Sequence, residues 1–228
     1  MVAVRPSLGL KNADGTGEIQ ALTASTEDGE FTGSWSPDGK TIAYTKNYAA
    51  DRGGTRKQLS QDIWMVSADG SHPSAWFETP FREAGATFST DGKWIAYVGD
   101  ESGTREIYVR PYPGPGAAIK ISTESGTEPA WTRGGRELLY RSGERGEKFM
   151  AVDIQTSPEL VVSAPRLLFS SDLNIGGQWG GRGSREEAFR DYDVSADGSE
   201  IFATRMVRTE EPNRQLTIVT NWAATRNK

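Results

Sequence analysis

Four acidic residues recur at matching places along the chain. Glu30 and Glu83 each lie six residues before the serine of a recurring turn, and Glu128 and Asp191 lie four residues before the serine or threonine of the same turn. If folding brings them together, such carboxylates could hold a hard cation such as calcium, or one of them could act as a general base with a raised pKa. The alternative is a solvated acidic rim, because carboxylates are common on protein surfaces.

Three further residues are candidates for binding a ligand beside these carboxylates. Arg82 and Arg190 directly precede Glu83 and Asp191 and could compensate their charge in place of a cation. Trp179 lies in a stretch, residues 172–190, that contains five glycines and a Ser-Arg-Glu-Glu sequence typical of a capping box. This stretch is either a lid over a site or an insertion without a role.

Other kinds of chemistry find little support in the sequence. The absence of cysteine excludes disulfides, zinc-thiolate sites and thiol nucleophiles. His72, the only histidine, lies in a turn, and no Gly-x-Ser-x-Gly elbow accompanies it, so we interpret it as a surface residue. No glycine-rich phosphate loop occurs, and a net charge of -5 argues against nucleic acid as a partner. No catalytic residue can be assigned, and calcium or another divalent cation is the only cofactor that the residues suggest.

An internal repeat dictates how these residues are positioned. One sequence motif recurs at residues 35–44, 88–97, 131–140 and 194–203. It consists of an apolar or aromatic residue, a turn with Asp-Gly or Gly-Gly at its tip, and then an apolar run. Each copy is typical of a tight antiparallel hairpin. A third strand follows each hairpin, at residues 62–66, 106–109, 149–152 and 216–219, and a fourth strand follows the first three copies, at residues 74–78, 117–122 and 165–170.

Four-stranded units at this spacing predict an all-β fold, a β-propeller of about four antiparallel blades. A β-sandwich would not explain why one sequence motif recurs four times. We assign residues 1–228 to a single domain with blades at roughly 30–80, 83–123, 127–170 and 190–222, and we expect Trp35, Phe88 and Trp131 to be buried between blades. Residues 7–23 resemble a third and a fourth strand. Pairing of residues 18–23 with residues 216–219 would close the last blade, and oligomerisation through open ends is the other option.

The first strands of a propeller line its central channel, so the four carboxylates are expected at one mouth of that channel. The connections on that face are long, at residues 47–61, 99–105, 172–190 and 206–214. The opposite face has only tight turns. We call the first the long-loop face and the second the tight-turn face. Loops longer than a hairpin requires are often functional, which favours a site on the long-loop face.

The phrase Trp-Ser-Pro-Asp-Gly-Lys at residues 35–40, with Ile-Ala-Tyr after it and Asp-Ile-Trp in the third strand, resembles the repeat of TolB-type β-propellers. The segment 191–198 and the ending 216–222 resemble the last blade of the propeller that follows receptor-like serine/threonine kinase domains in bacteria. No kinase motif is present. The resemblance implies an interaction or sensor module whose parent protein lies outside the cytoplasm.

Two functions from different classes follow. The first is a non-catalytic propeller that recognises a protein or a small ligand through its long-loop face. The second is a metal-dependent hydrolase of the lactonase, esterase or phosphotriesterase type, with its acidic site at the channel mouth. A propeller fragment active only after self-assembly is a third reading. The N-terminus lacks the apolar core of a secretory signal, and no apolar run approaches the ~20 residues of a membrane span.

Overall fold

The computed structural model describes residues 7–23, 29–50, 58–144, 146–156, 159–171, 190–195, 197–204 and 216–219. In this part of the chain the strands are antiparallel and form five sheets. A 3₁₀ turn at Arg133–Gly135 interrupts the third hairpin. No helix within the described ranges has the length and apolar character that a membrane crossing requires.

The sheets follow one another in chain order. The N-terminal pair, which we call the half-blade, contains β1 (Gly9–Leu10) and β2 (Gln20–Ala21). Blade 1 contains β3 (Glu30–Trp35), β4 (Thr41–Ala50), β5 (Gln58–Ser67) and β6 (Ser74–Ala75). Blade 2 contains β7 (Glu83–Phe88), β8 (Trp94–Gly99), β9 (Glu106–Pro111) and β10 (Ile119–Lys120). Blade 3 contains β11 (Thr127–Thr132), β12 (Glu137–Ser142), β13 (Lys148–Gln155), β14 (Val161–Val162) and β15 (Arg166–Ser170), and blade 4 contains β16 (Tyr192–Val194), β17 (Ile201–Thr204) and β18 (Leu216–Val219).

The first strands of neighbouring blades lie side by side, β3 beside β7, β7 beside β11 and β11 beside β16. The remaining strands follow outward in chain order within each sheet. This is the arrangement of a β-propeller, and the predicted fold class is confirmed. The predicted loop at residues 47–61 is shorter than expected, because the β4–β5 ladder continues to the pair Ala50 and Gln58.

The turn between the first and second strands explains the recurring Ser-x-Asp-Gly phrase. In blade 1 the Ser36 hydroxyl donates to Asp38 Oδ1 at 2.6 Å and accepts the Thr41 N–H at 2.9 Å, while Gly39 has a φ of 70°. The corresponding serines and aspartates of blades 2 and 4 make the same bonds. These side chains satisfy the turn's polar groups locally, which indicates that the tight-turn face is structural.

The half-blade reproduces the outer strands of a complete blade. The Leu8 N–H donates to the Thr23 hydroxyl at 3.0 Å, as the Ile107 N–H donates to the Ser122 hydroxyl at 2.7 Å in blade 2. The interpretation of residues 7–23 as a third and a fourth strand therefore agrees with the structure.

The predicted pairing of residues 18–23 with residues 216–219 is wrong. In the structure β2 pairs with β1, and β18 pairs with β17 in a three-stranded sheet. The reason is apolar packing: Leu8 and Leu22 are buried against Ile42, Tyr44 and Val66 of blade 1, which holds the half-blade on that blade.

The core lies between the blades, where each sheet covers its neighbour with aliphatic and aromatic side chains. Phe88 is buried as predicted, and Trp131 is half-buried, with its Nε1–H donating to the carbonyl of Thr87 in blade 2 at 3.1 Å. The prediction is wrong for Trp35, which is 46% exposed. Trp35 lies on the side of blade 1 that faces the half-blade. The half-blade consists of outer strands only, so no strand in the described part of the chain covers Trp35.

Removal of Phe88 and Trp35 should therefore have unequal effects. Phe88→Ala is expected to lower the free energy of unfolding by about 3–5 kcal/mol, because it leaves a cavity between blades 1 and 2. Trp35→Ala should cost about 1 kcal/mol or less, as for other surface changes. Urea unfolding measures both, and equal losses would show that Trp35 is buried in solution.

Candidate functional site

The inner strands of all four blades meet at one cavity of about 360 Å³ in the central channel. Its lining combines glycine and other small side chains with hydroxyls, two carboxyls and one guanidinium. These residues are Thr32, Gly33, Ser34, Gly85, Ala86, Thr87, Glu128, Pro129, Arg190, Tyr192 and Asp193.

A β-bulge interrupts each of β3, β7 and β11 where these strands line the cavity. In β7 the bulge contains Gly85 with a φ of 65°, and the corresponding position of β11 is occupied by Glu128 with a φ of 57°. Glycine adopts this left-handed conformation at no steric cost, whereas glutamate does so only when its surroundings hold it there. The partners of Glu128 are therefore of interest.

Both carboxylate oxygens of Glu128 accept hydrogen bonds from protein groups. Oε1 accepts from Arg141 Nη1 at 3.1 Å, and Oε2 accepts from the backbone N–H of Asp191 at 3.0 Å. The Tyr192 hydroxyl donates to the Glu128 carbonyl at 2.7 Å. Burial raises the pKa of Glu128, and the nearby Arg141 guanidinium opposes that rise. Glu128 thereby joins blade 3 to the start of blade 4.

Arg141, the ion-pair partner, is almost fully buried, with 1% of its side chain exposed. Its Nε–H donates to the Gly146 carbonyl at 2.7 Å, and its guanidinium lies 5.5 Å from the centre of the Phe149 ring. We did not predict this residue. The sequence does distinguish Arg141, because the equivalent positions of the repeat in blades 1 and 2 are the uncharged Thr45 and Val98.

Arg190 lies on the same side of the cavity. Its Nε–H donates to the Tyr192 carbonyl and its Nη2 to Asp193 Oδ1, both at 2.9 Å. The guanidinium also lies 5.8 Å from the centre of the Tyr192 ring. Glu128 and Arg190 thus line the same cavity, and the Asp191 N–H bonds to Glu128, but the charged partner of Arg190 is Asp193 and not one of the four carboxylates named from the sequence.

Glu30 and Glu83 do not line this cavity. Both are buried: Glu30 accepts a hydrogen bond from the hydroxyl of Thr23 in the half-blade, and Glu83 accepts one from the hydroxyl of Thr79. Over the described ranges, no group of three or more histidine, cysteine or acidic side chains is placed to hold a metal ion. A cation bound by Glu30, Glu83, Glu128 and Asp191 remains a prediction.

The other candidate residues lie elsewhere. Arg82 contacts Asp100, to which its backbone N–H donates at 2.8 Å and which its Nε approaches at 3.8 Å. His72 is exposed in the turn between β5 and β6, beside the Ser71 hydroxyl, in agreement with its interpretation as a surface residue. Trp179 and the remainder of the 172–190 stretch before Arg190 lie outside the described residues.

Burial raises the pKa of Glu83 to about 7, although the Thr79 hydroxyl lowers it. The nearby carboxyls of Asp62, Asp100 and Glu101 add to the rise. One carboxylate oxygen, Oε2, is buried without a hydrogen-bond partner. Glu83 is therefore a proton-binding group within the interface of blades 1 and 2.

Comparisons with known proteins support the fold. No protein-family model and no curated protein match this sequence. Among solved structures, TolB from Acinetobacter baumannii superposes with a TM-score of 0.62 at 19% identity, over 94% of this chain and 46% of that one. The fold is a β-propeller, similar to that of TolB.

Two further structures show the same architecture. A protein assigned as TolB from Agrobacterium tumefaciens gives a TM-score of 0.54 at 18% identity, over 72% of this chain and 57% of that one. A puromycin-hydrolyzing peptidase from Mycobacterium tuberculosis gives 0.58 at 16% identity, over 88% of this chain and 35% of that one. The chain thus spans about half the length of the TolB structures. Identities this low establish the propeller fold alone.

Loss of the Glu128 carboxylate should leave the buried Arg141 charge without its ion-pair partner. We expect Glu128→Gln to lower the free energy of unfolding by about 3–5 kcal/mol, because breaking one side of a buried ion pair leaves the other uncompensated. Adding Arg141→Met should recover much of that loss. Glu124→Gln, which breaks the exposed Glu124–Lys148 pair, is the control and should change stability by no more than about 0.5 kcal/mol. If the stability losses of the two single variants simply added in the double variant Glu128→Gln/Arg141→Met, the ion pair between Glu128 and Arg141 would be contradicted.

Glu83 makes stability depend on pH. Because its pKa is about 7 in the folded state and 4.5 ordinarily, the folded state binds more protons between these values, and its stability falls as pH rises. Glu83→Gln should remove this loss, gaining up to ~3 kcal/mol relative to the wild type between pH 4.5 and pH 7.5. Denaturant titrations at several pH values, with the exposed Glu18→Gln as control, measure this. If the stability difference between Glu83→Gln and the wild type did not change with pH, the raised pKa of Glu83 would be refuted.

Proposed function

We propose that the protein is a non-catalytic recognition module that binds a protein or a small polar ligand through its long-loop face. The channel cavity is the centre of that contact. The observation that carries the proposal is the cavity's construction: the first strands of all four blades converge on it, and its carboxylate Glu128, with 11% of the side chain exposed, is bonded through both oxygens to protein groups. Such a site orients a ligand by shape and hydrogen bonding.

The cavity offers a ligand several polar contacts. Arg190 lines it with about a third of its side chain exposed, and Thr32, Ser34 and Thr87 contribute hydroxyl-bearing residues to the wall. Gly33 and Gly85 contribute backbone to the wall, and at Gly33 a Cβ would lie 2.5 Å from the Ala43 carbonyl oxygen, so glycine is required there by strand packing. This set suits a ligand with hydrogen-bond acceptors, such as the carbonyls or terminal carboxylate of a polypeptide.

The metal-dependent hydrolase is less well supported. Glu83 has a pKa suited to a general base, but it is only 3% exposed and does not line the cavity. His72 lies in a turn of the tight-turn face, away from the channel mouth. The likeness to a puromycin-hydrolyzing peptidase concerns 35% of that chain and fold alone. A protein-binding role and a location outside the cytoplasm are parts of our proposal, supported by the TolB-type fold and by the sequence resemblance.

The test is a ligand-observed NMR screen of short peptides and polar fragments against the wild type, Arg190→Ala and Arg136→Ala. Arg136 is an exposed arginine on the tight-turn face and serves as the matched control. We expect cavity ligands to lose affinity at least tenfold in Arg190→Ala and to bind Arg136→Ala normally. Melting temperatures show whether each variant is folded.

Two results would contradict the proposal. One is a set of ligands that bind both arginine variants equally well. The other is turnover of an ester, lactone or phosphotriester that a chelator abolishes, which would support the metal-dependent hydrolase instead.

A further inference from the structure

The charged side chains of the channel cavity differ in how their charge is compensated. Glu128, Arg190 and Asp193 line the cavity. Both carboxylate oxygens of Glu128 are bonded to protein groups, and its ion-pair partner Arg141 is only 1% exposed. The charge of Glu128 is therefore compensated from the protein interior. Arg190 and Asp193 are the charges that a ligand entering the cavity can use.

Tyr192 fixes the guanidinium of Arg190 at the cavity wall. The Arg190 Nε–H donates to the Tyr192 carbonyl at 2.9 Å, and the guanidinium lies 5.8 Å from the centre of the Tyr192 ring. Tyr192 is itself held in place, because it is buried and its hydroxyl donates to the Glu128 carbonyl at 2.7 Å. These contacts position Arg190 without using Nη2, which is the atom that contacts Asp193.

The ion pair between Arg190 and Asp193 shows which chemical group fits at this position. Arg190 Nη2 lies 2.9 Å from Asp193 Oδ1, and the two side chains are 36% and 70% exposed. A pair this exposed contributes little to stability, because water solvates both charges when the pair separates. A carboxylate of a ligand can therefore take the place of the Asp193 carboxylate at little cost.

Hydroxyl groups on blades 1 and 2 add hydrogen-bond donors to the same cavity. Thr32, Ser34 and Thr87 belong to its wall. Ser34 Oγ accepts the Phe88 N–H at 2.9 Å, and a hydroxyl in this role can still donate its own proton to a ligand. These donors suit the oxygens of a carboxylate. A doubly charged phosphate fits less well, because two carboxylates and one guanidinium belong to the described lining.

We propose that the cavity binds a carboxylate of its ligand at Arg190, and that Asp193 occupies this position until the ligand displaces it. This inference rests on the proposed function and specifies the ligand as a monoanion. The source of the carboxylate is either the C-terminus of a polypeptide or a small carboxylic acid. The planar guanidinium pairs with the two carboxylate oxygens, and Asp193 turns toward solvent. Asp193 is thus an internal competitor of the ligand.

The probes are N-acetyl-alanyl-alanine, which ends in a free carboxylate, and the amide of the same dipeptide, which does not. Each is titrated into ¹⁵N-labelled protein, with acetate and inorganic phosphate in parallel. We expect the free acid to bind about tenfold more tightly than the amide, because only the acid forms a charge-assisted pair with Arg190. It should also shift the Val194 amide resonance, since the Val194 N–H donates to Asp193 Oδ1 at 3.0 Å and loses this partner.

The two sources of the carboxylate are separated by comparing the dipeptide acid with acetate. Tighter binding of the dipeptide acid would support the C-terminus of a polypeptide as the ligand. Equal binding of the dipeptide acid and acetate would support a small carboxylic acid.

Protein variants test the competition by Asp193. Asp193→Asn removes the competing charge and keeps the size of the side chain, so it should strengthen binding of the free acid roughly two- to fivefold and leave the amide unchanged. Asp69→Asn, at an exposed aspartate of the tight-turn face, is the matched control and should bind like the wild type. Arg190→Ala should weaken binding of the free acid more than Arg190→Lys does, since lysine keeps the charge but lacks the planar fork. Melting curves confirm that each variant is folded.

Three results would overturn this inference and leave the proposed function intact. The first is equal binding of acid and amide, both weakened by Arg190→Ala. The second is phosphate binding more tightly than the acid. The third is weaker binding of the acid to Asp193→Asn, which would make Asp193 part of the ligand site. If no peptide or polar fragment depends on Arg190 for binding, both the inference and the proposed function are wrong.

Discussion

The buried ion pair between Glu128 and Arg141 is the interaction on which the candidate site depends. It holds Glu128 in a left-handed conformation that glutamate otherwise avoids, and this fixes the bulge of β11 at the cavity wall. The same carboxylate accepts the Asp191 N–H, and the Tyr192 hydroxyl donates to the Glu128 carbonyl, so the beginning of blade 4 is attached to blade 3. Desolvation makes such a pair costly to form and costlier to break on one side.

The two faces of the propeller are built from different chemistry. On the tight-turn face, serine and aspartate side chains close the hairpins, and the Thr156 hydroxyl donates to Asp91 Oδ2 at 3.1 Å, which links the turns of blades 2 and 3. On the long-loop face, the charges of Glu128, Arg190 and Asp193 surround a cavity. A face of locally closed turns thus lies opposite a face with a polar cavity, a common arrangement in binding proteins.

Much of the fold could be predicted because turn chemistry and strand alternation are local properties. The recurring Ser-x-Asp-Gly phrase located each hairpin, and the repeat then located the outer strands, including those of the half-blade. The exposure of Trp35 and the separation of β2 from β18 could not be predicted, because they depend on which strands lie opposite them in three dimensions. From their position in the repeat alone, Trp35 and Phe88 would be expected to have the same surroundings.

The site was predictable in part. Glu128 and Arg190 line the cavity, and the Asp191 N–H bonds to Glu128, because all three residues lie where a first strand begins. Glu30 and Glu83 begin first strands too, but both are buried away from the cavity lining. Arg141 could have been found, as a charged residue at a position that is uncharged in the two preceding repeats.

Glu128 organises the channel cavity through bonds to protein groups. A crystal structure of the protein grown with a large excess of calcium tests this most directly. We expect Glu128 to remain bonded to Arg141 Nη1 and to the Asp191 N–H, with no cation among the carboxylates. A calcium ion coordinated by Glu128, with Arg141 displaced, would contradict it.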